Sequence, residues 1–207
     1  MSTALALHKN HRSKPLLSNG DRLPQPEFHR RYTAYPKDVK IELIGGTVYM
    51  ASPMRRPHSG YSSEVGGVLF LYKANTRGVE TGDNATVILN LANEPQPDRY
   101  LRIAEYCGGK SRVEEDEYIY GPPELLAEIA HSTVAIDLDQ KKSNYAKAGV
   151  CEYIVVCVEE RDVFWFDLRR KRQIRRDAKG VVRSRVFPGL WLNVPALLAE
   201  DSNKLIE

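Results

Sequence analysis

Apolar and polar positions along the chain follow two periods, one typical of strands and one typical of helices. An apolar run at 41–51 is divided by Gly45-Gly46, and this pattern predicts two strands joined by a tight hairpin turn. Apolar residues then recur at helical intervals across 58–76, just after Pro57. The first half of the chain is therefore expected to contain a hairpin followed by an amphipathic helix.

Strand patterns dominate the remainder of the chain. The run at 153–158 is continuously apolar and rich in β-branched residues, which is typical of a central strand buried on both faces. A helix is predicted over 138–148, with Gly149 as its C-cap, and a short helix near 195–200. Further strands are predicted at 79–81, 85–91, 99–104, 124–131, 163–166 and 181–187.

The chain length favours one domain. Residues 1–26 mix basic, polar and proline residues without periodicity, and we expect them to form a mobile N-terminal arm. Residues 27–207 are then predicted to be a single domain of slightly more than average size. The segment 106–121 is polar and acidic, and it is interpreted as a loop.

Composition excludes some classes of protein. Apolar residues make up 42% and charged residues 28% of the chain, which is ordinary for a soluble domain, and the net charge of +3 neither requires nor excludes a nucleic-acid partner. Three cysteines show no metal-type spacing and indicate no disulfide framework. No apolar run is long enough to cross a membrane, and the N-terminus has no signal-like apolar segment. We therefore expect a cytoplasmic protein.

Two carboxylates stand where strands are predicted. Asp98 ends Gln96-Pro97-Asp98 beside a strand, and Glu128 interrupts the apolar run 124–130. A carboxylate inside an apolar strand is costly to bury unless positive charge meets it, and Lys141 follows on the next predicted helix. Mg²⁺ is commonly held by one or two carboxylates together with substrate phosphates, and a lysine can stabilise developing charge. This pattern predicts a metal-dependent phosphodiesterase site, whereas turn capping or ion pairing is the alternative.

The helix after Glu128 places three polar side chains on one face. Asp137, Lys141 and Tyr145 follow one another at intervals of four, so they can point at the same place. Lys141 is expected to reach Glu128, although an exposed pair with Asp137 is the alternative. Glu42 in the first strand and His58 at a helix start are further candidate catalytic residues, and a purely capping role remains open for His58.

A series of short motifs carries a resemblance to a known family. In order they are ELIGGTVYMASP at 42–53, His58, Pro97-Asp98, PELLAEI at 123–129, Ser132, Asp137-Leu138, Lys141, Tyr145, GVCEY at 149–153 and FPGL at 187–190. With these motifs the chain resembles the Uma-type "putative restriction endonuclease" family of the PD-(D/E)XK nuclease superfamily. The resemblance extends from about residue 38 to the C-terminus and covers most of the chain.

The resemblance implies a fold and a site. The implied fold class is α/β (α+β), a restriction-endonuclease-like core in which helices flank a mixed β-sheet. Asp98 and Glu128 would bind Mg²⁺, with Mn²⁺ as a substitute, and Glu42 would be an auxiliary acid. Lys141 would replace the lysine that the superfamily places two residues after the glutamate, where this chain has Ala130.

Candidate substrate contacts are less specific. Arg99 and Arg102 could touch phosphates or mark an exposed strand face, and Tyr145 could contact substrate or pack beneath the site. The basic run 169–176 could grip a DNA backbone, although such a run is usually a solvated hairpin.

Three functions compete at this point. The first is a metal-dependent endonuclease that hydrolyses DNA, with a homodimer inferred by analogy. The second is a catalytically weak or inactive relative that binds nucleic acid or a protein partner. The third is a metalloenzyme for a small phosphate ester. A nuclease is expected to have a basic cleft around the carboxylates, whereas a small-ester enzyme is expected to have a closed pocket.

Overall fold

The computed structural model describes residues 16–36, 38–51 and 53–207. Residues 1–15 of the predicted arm lie outside these ranges. Parts of the described remainder contact the domain: Leu17 is buried, and the Leu23 amide donates to the Gly46 carbonyl at 2.9 Å. Ordered packing therefore begins before residue 27. No helix in the described ranges is long and apolar enough to span a membrane.

The described elements are five α-helices and thirteen strands, with a 3₁₀ turn at Glu105–Cys107 and a π-helical turn at Ile136–Lys141. The helices are α1 (Gln25–Tyr32), α2 (Arg56–Ala74), α3 (Lys142–Ala148), α4 (Val194–Leu198) and α5 (Ser202–Ile206). The strands are β1 (Ile41–Ile44), β2 (Thr47–Met50), β3 (Val79–Gly82), β4 (Val87–Ile88), β5 (Arg99–Ile103), β6 (Arg112–Val113), β7 (Ile119–Tyr120), β8 (Leu125–Ala130), β9 (Glu152–Cys157), β10 (Asp162–Asp167), β11 (Arg172–Gln173), β12 (Val181–Arg183) and β13 (Trp191–Asn193).

A six-stranded mixed sheet forms the centre of the domain, in the order β11-β10-β9-β8-β5-β3. Strands β8 and β9 are parallel and the other neighbours are antiparallel. Helices α2, α4 and α5 contribute to the core on one face, and α3 packs on the other. This architecture confirms the expected mixed sheet flanked by helices.

Strand β8 explains how the sheet positions Glu128. Its alternate residues Leu125, Ala127 and Ile129 belong to the core on the α2 face, while Leu126 and Ala130 belong to the core on the α3 face. Because side chains alternate along a strand, Glu128 shares the α3 face with Leu126 and Ala130. Strand β9 is buried at every position, as the apolar run at 153–158 predicted.

Helix α2 approaches the sheet closely at a glycine. A Cβ atom on Gly66 would lie 2.8 Å from the Arg99 Cζ atom, whereas one on Gly67 would meet nothing within 4 Å. The Arg99 side chain therefore occupies the space between helix and strand that Gly66 leaves open. Of the two adjacent glycines in the predicted helix, Gly66 alone is explained by close packing.

Several elements differ from the sequence prediction. Helix α1 was not predicted, because its residues are mostly polar or charged and it buries only Gln25 and Phe28. The predicted strands 85–91 and 181–187 shorten to β4 and β12, and the predicted loop 106–121 contains β6 and β7. The predicted helix 138–148 is π-helical in its first part, at Ile136–Lys141, and α-helical only at Lys142–Ala148. Tertiary hydrogen bonding, which local patterns do not encode, decides these short elements.

Glu152 at the start of β9 is a buried carboxylate that stabilises the fold. It accepts hydrogen bonds from the Arg185 amide (2.5 Å), the Ser184 hydroxyl (2.7 Å) and the Trp165 indole (3.1 Å). We expect Glu152→Ala to lower the free energy of unfolding by about 3 kcal/mol or more, because each buried donor left unpaired costs about 1–3 kcal/mol. Urea denaturation followed by fluorescence measures this.

Glu115→Ala is the control for that measurement, because Glu115 lies on the exposed acidic segment. Its effect is expected to stay within about 0.5 kcal/mol. An equal midpoint for the two variants would contradict a structural role for Glu152.

Candidate functional site

Adjacent strands bring Asp98 and Glu128 together. Asp98 immediately precedes β5, which pairs with β8 so that Arg99 lies opposite Ala127. The Ile129 amide donates to Asp98 Oδ2 at 2.8 Å, and the Asp98 amide approaches Glu128 Oε2 at 3.4 Å. Both carboxylates are buried. The centre of the candidate site therefore consists of two carboxylates, each contacted by a backbone amide.

Lys141 reaches the carboxylates from the other side. Its ammonium lies 3.0 Å from Glu128 Oε1, 3.0 Å from Glu42 Oε2 and 3.6 Å from Asp137 Oδ1. Lys141 is the last residue of the π-helical turn, directly before α3. The structure therefore places Lys141 beside Glu128, as the helical spacing suggested.

Tyr145 lies beneath the site rather than in the open cavity. It is fully buried, and its hydroxyl donates to Glu128 Oε1 at 2.9 Å. This contact fixes the orientation of the glutamate and leaves Tyr145 without access to a substrate.

Glu42 enters the site from the β1–β2 hairpin. Its Oε1 atom accepts a hydrogen bond from the Gln96 amide at 2.7 Å, two residues before Asp98. Glu42 also contacts Lys141. Three segments therefore meet at Glu42: the β1–β2 hairpin, the residues just before β5, and the π-helical turn.

Two basic side chains contact Asp98. His58, in the first turn of α2, places Nε2 3.2 Å from Asp98 Oδ2. Lys40, which sequence reasoning missed, places Nζ 3.4 Å from Asp98 Oδ1. The available signal was strand alternation, since Lys40 stands two residues before Glu42 and shares its face.

Comparison with known proteins agrees with this geometry. Residues 25–195 match the model of the Uma2 family, described as "Putative restriction endonuclease". The chain belongs to the Uma2 family. This confirms the resemblance drawn from the ordered motifs.

Solved structures support the fold of this Uma2 chain. It is similar to the crystal structure of a "putative nuclease belonging to DUF820" from Anabaena variabilis, with a TM-score of 0.66 and 17% sequence identity. The similarity covers 82% of this chain and 96% of that chain. Comparison with curated proteins gives no match. Family and fold together support a nuclease.

Burial and charge act in opposite directions on the two central acids. Burial alone would raise the pKa of Asp98, but the His58 hydrogen bond and the Lys40 charge outweigh it and hold that pKa well below its usual value. Burial raises the pKa of Glu128 to about 8; the Lys141 charge opposes this shift, while the charges of Asp98 and Glu42 add to it. The pKa values of the two neighbouring acids are thus shifted in opposite directions, downward for Asp98 and upward for Glu128.

The lysines remain charged despite burial. Burial would lower the pKa of Lys141, but Glu128, Glu42 and Asp137 raise it well above its usual value. Burial would likewise lower the pKa of Lys40, but the charges of Glu42 and Asp98 raise it above its usual value. Both ammonium groups are therefore present at neutral pH.

The donor set fits a hard divalent cation. No group of three or more His, Cys, Asp or Glu side chains arranged for a metal occurs within the described ranges. Mg²⁺ does not need three protein ligands, because it usually keeps several waters and binds one or two carboxylates. Among the described residues, the carboxylates Glu42, Asp98, Glu128 and Asp137 surround two ammonium groups, so positive charge is in deficit. A divalent ion at Asp98 and Glu128 would offset that deficit.

The cavity above the carboxylates has a volume of about 840 Å³. Its described acids are Glu42, Asp98, Glu128, Asp137 and Glu159, and its basic residues are Lys40, Arg55, His58, His131 and Lys141. The basic cleft expected of a nuclease is therefore not found among the described lining residues. Acidic and basic residues are equal in number along this described lining, so it offers a polyanion no excess of positive charge.

Two arginines proposed as phosphate contacts lie outside this cavity. Arg102 is buried and pairs with Glu80, its direct cross-strand neighbour, at 2.5 Å. Arg99 donates to the Ser62 carbonyl at 2.9 Å on the α2 side. Alternation directs Arg99 to the sheet face opposite Asp98, and the register of β3 with β5 sets Arg102 beside Glu80.

The basic run at 169–176 is also absent from the described cavity lining. It includes β11, which forms an edge of the central sheet. Arg169 and Arg170 lie within 4 Å of Asp167, and Arg176 pairs with Asp162. Much of the positive charge of this run is therefore paired with acidic residues of the protein.

Proposed function

We propose that this Uma2 protein is a Mg²⁺-dependent endonuclease that hydrolyses DNA phosphodiester bonds. The observation that carries the proposal is the Lys141 ammonium 3.0 Å from Glu128, with Asp98 hydrogen-bonded to the neighbouring Ile129 amide. Two carboxylates and an ammonium at the floor of an open cavity are the groups that phosphodiester hydrolysis requires.

Each side chain has a role in the proposed reaction. Asp98 and Glu128 would hold the ion, which supplies Lewis-acid polarisation of the phosphate and lowers the pKa of bound water. Lys141 stabilises the negative charge that develops on phosphate oxygens. Glu42 holds Lys141 in place, and His58 orients Asp98 through its Nε2 contact.

The competing functions have weaker support. An inactive relative would be favoured by loss of one member of the set, whereas the contacts of Glu128 with Lys141 and with the Asp98 amide support an active enzyme. A small-ester enzyme would be favoured by a closed pocket, whereas the wide cavity above Asp98 also takes in the β2–α2 connection and the segment 131–137. DNA is the proposed partner, and the proposed location is the cytoplasm.

A homodimer is proposed by analogy alone. One site hydrolyses one strand, so two copies would serve a duplex.

The experiment that tests this function is incubation of the purified protein with supercoiled plasmid. We expect nicked or linear DNA with Mg²⁺ or Mn²⁺ and none with excess EDTA, because the buried acids need a cation to meet a polyanionic substrate. Gel electrophoresis over time gives the rates. Restoring Mg²⁺ after EDTA treatment is the control for irreversible damage.

Equal cleavage with and without EDTA would argue for a metal-independent mechanism. Cleavage of a chromogenic phosphodiester but of no nucleic acid would favour the small-ester enzyme. Metal binding without any cleavage would favour the non-catalytic relative.

A further inference from the structure

Lys40 is positioned at the site by the hairpin. The Ala51 amide donates to the Lys40 carbonyl at 3.2 Å, so the pairing of β1 with β2 extends to this residue. Side chains alternate along the strand, which puts Lys40 and Glu42 on the same face. The ammonium of Lys40 then lies 3.4 Å from Asp98 Oδ1 and 3.2 Å from Asn84 Oδ1.

The two lysines of the site differ in how much they are enclosed. The Lys141 side chain is 8% exposed and contacts three carboxylates. The Lys40 side chain is 24% exposed, lines the cavity, and contacts the Asp98 carboxylate at 3.4 Å. Lys141 is thus held by three carboxylates and acts on a phosphate through its charge, while Lys40 can contact a ligand that enters the cavity directly.

We propose that Lys40 is a substrate-binding residue that exchanges Asp98 for an oxygen of the DNA phosphate when a divalent ion occupies the carboxylates. This inference rests on the proposed nuclease function. An ion bound to Asp98 repels the nearby ammonium and removes the carboxylate that attracted it. A phosphate oxygen in the cavity is then the acceptor for a charge-assisted hydrogen bond.

The exchange has opposite consequences for the two ligands. Without Lys40, the ion no longer competes with an ammonium for Asp98, so metal binding becomes tighter. The phosphate loses a cationic partner, so cleavage becomes less efficient. A lysine that only supports the local structure would not tighten metal binding when it is removed.

Calorimetry with Mn²⁺ alone measures the first consequence. We expect Lys40→Met to bind Mn²⁺ about tenfold more tightly than the wild type, because a like charge close to the ion is removed. Lys40→Gln keeps a polar group that can hydrogen-bond Asn84, and it is also expected to bind Mn²⁺ more tightly than the wild type. Lys40→Arg keeps the charge and is expected to remain close to the wild type.

Cleavage kinetics at saturating Mg²⁺ measure the second consequence, free of any change in metal affinity. We expect kcat/KM on a labelled duplex to fall about tenfold or more in Lys40→Met, the loss typical of one charged hydrogen bond. Lys40→Arg is expected to retain most of the activity. Lys142→Met is the matched control, because Lys142 lies over the Phe166 ring, 4.8 Å from its centroid, and does not line the cavity.

Unchanged kcat/KM in Lys40→Met, with an active wild type, would overturn this inference and leave the nuclease function standing. Reduced cleavage with unchanged or weaker Mn²⁺ binding would also overturn it, because Lys40 would then support the carboxylates. A wild type without metal-dependent cleavage would refute the nuclease function itself.

Discussion

Replacing Asp98 by asparagine is expected to lower the rate of plasmid cleavage by about a hundredfold or more. Asparagine keeps the shape of the side chain and an oxygen that can accept the Ile129 amide, which now donates to Asp98 at 2.8 Å. It removes the negative charge that would hold the cation. The fold is therefore retained while the proposed metal site is lost.

Two measurements check the Asp98→Asn result. Cleavage rates in Mg²⁺ report catalysis, and Mn²⁺ calorimetry reports the site directly. The matched control is Asp83→Asn, because Asp83 is 59% exposed and pairs with Arg99 outside the cavity lining. Wild-type cleavage by Asp98→Asn, or equal loss in both variants, would remove Asp98 from the proposed site.

Replacing Lys141 by methionine is expected to affect both activity and stability. Loss of the ammonium leaves Glu42, Glu128 and Asp137 buried around an uncharged side chain. Breaking a buried pair in this way typically costs about 3–5 kcal/mol, since the remaining charges have no partner. Cleavage is expected to fall at least as much as in Asp98→Asn, because the charge proposed to stabilise the phosphate is gone.

The stability loss of Lys141→Met should depend on pH and on metal. Burial raises the pKa of Glu128 to about 8 even with Lys141 present. A carboxyl group whose pKa is raised on folding lowers the free energy of unfolding as pH rises from its ordinary pKa to the raised one, and loss of the opposing Lys141 charge extends this range upward. The variant is therefore expected to be most destabilised above pH 8 and least destabilised near pH 6. Mg²⁺ should stabilise it, because the ion replaces the missing charge.

Urea denaturation at the two pH values, with and without Mg²⁺, measures these effects. Lys142→Met is the control, since its side chain lies over the Phe166 ring. An equal free energy of unfolding for Lys141→Met and the wild type would mean that the three carboxylates do not need the lysine. Full cleavage activity in Lys141→Met would assign the catalytic charge to another residue.

The mixed charge of the cavity lining determines what DNA binding is expected to depend on. The described basic run at 169–176 does not line the cavity, and part of it pairs with acids of the protein. Affinity for the backbone would then depend on the bound cation and on the few basic groups at the cavity, such as Lys40 and Arg55. Weak DNA binding without a divalent ion is consistent with this distribution of charge.

The sequence by itself determined the family, the mixed fold and the central acids. Glu128 interrupts the apolar run 124–130, which marks it as a carboxylate inside a buried strand. The interval of four in Asp137, Lys141 and Tyr145 places these side chains on one face of a helix. These patterns are local, so they can be detected without knowing which elements pair. They were enough to predict that Lys141 approaches Glu128.

Only the tertiary structure decided the other members of the site. Lys40 meets Asp98 across 58 residues, and Arg102 is directed to Glu80 by the register of β3 with β5. Helix α1 depends on long-range contacts in the same way, through Gln25 and His29, which hydrogen-bond the buried Glu94. Alternation shows which face of a strand a side chain takes, but the pairing of distant segments decides which charge it meets there.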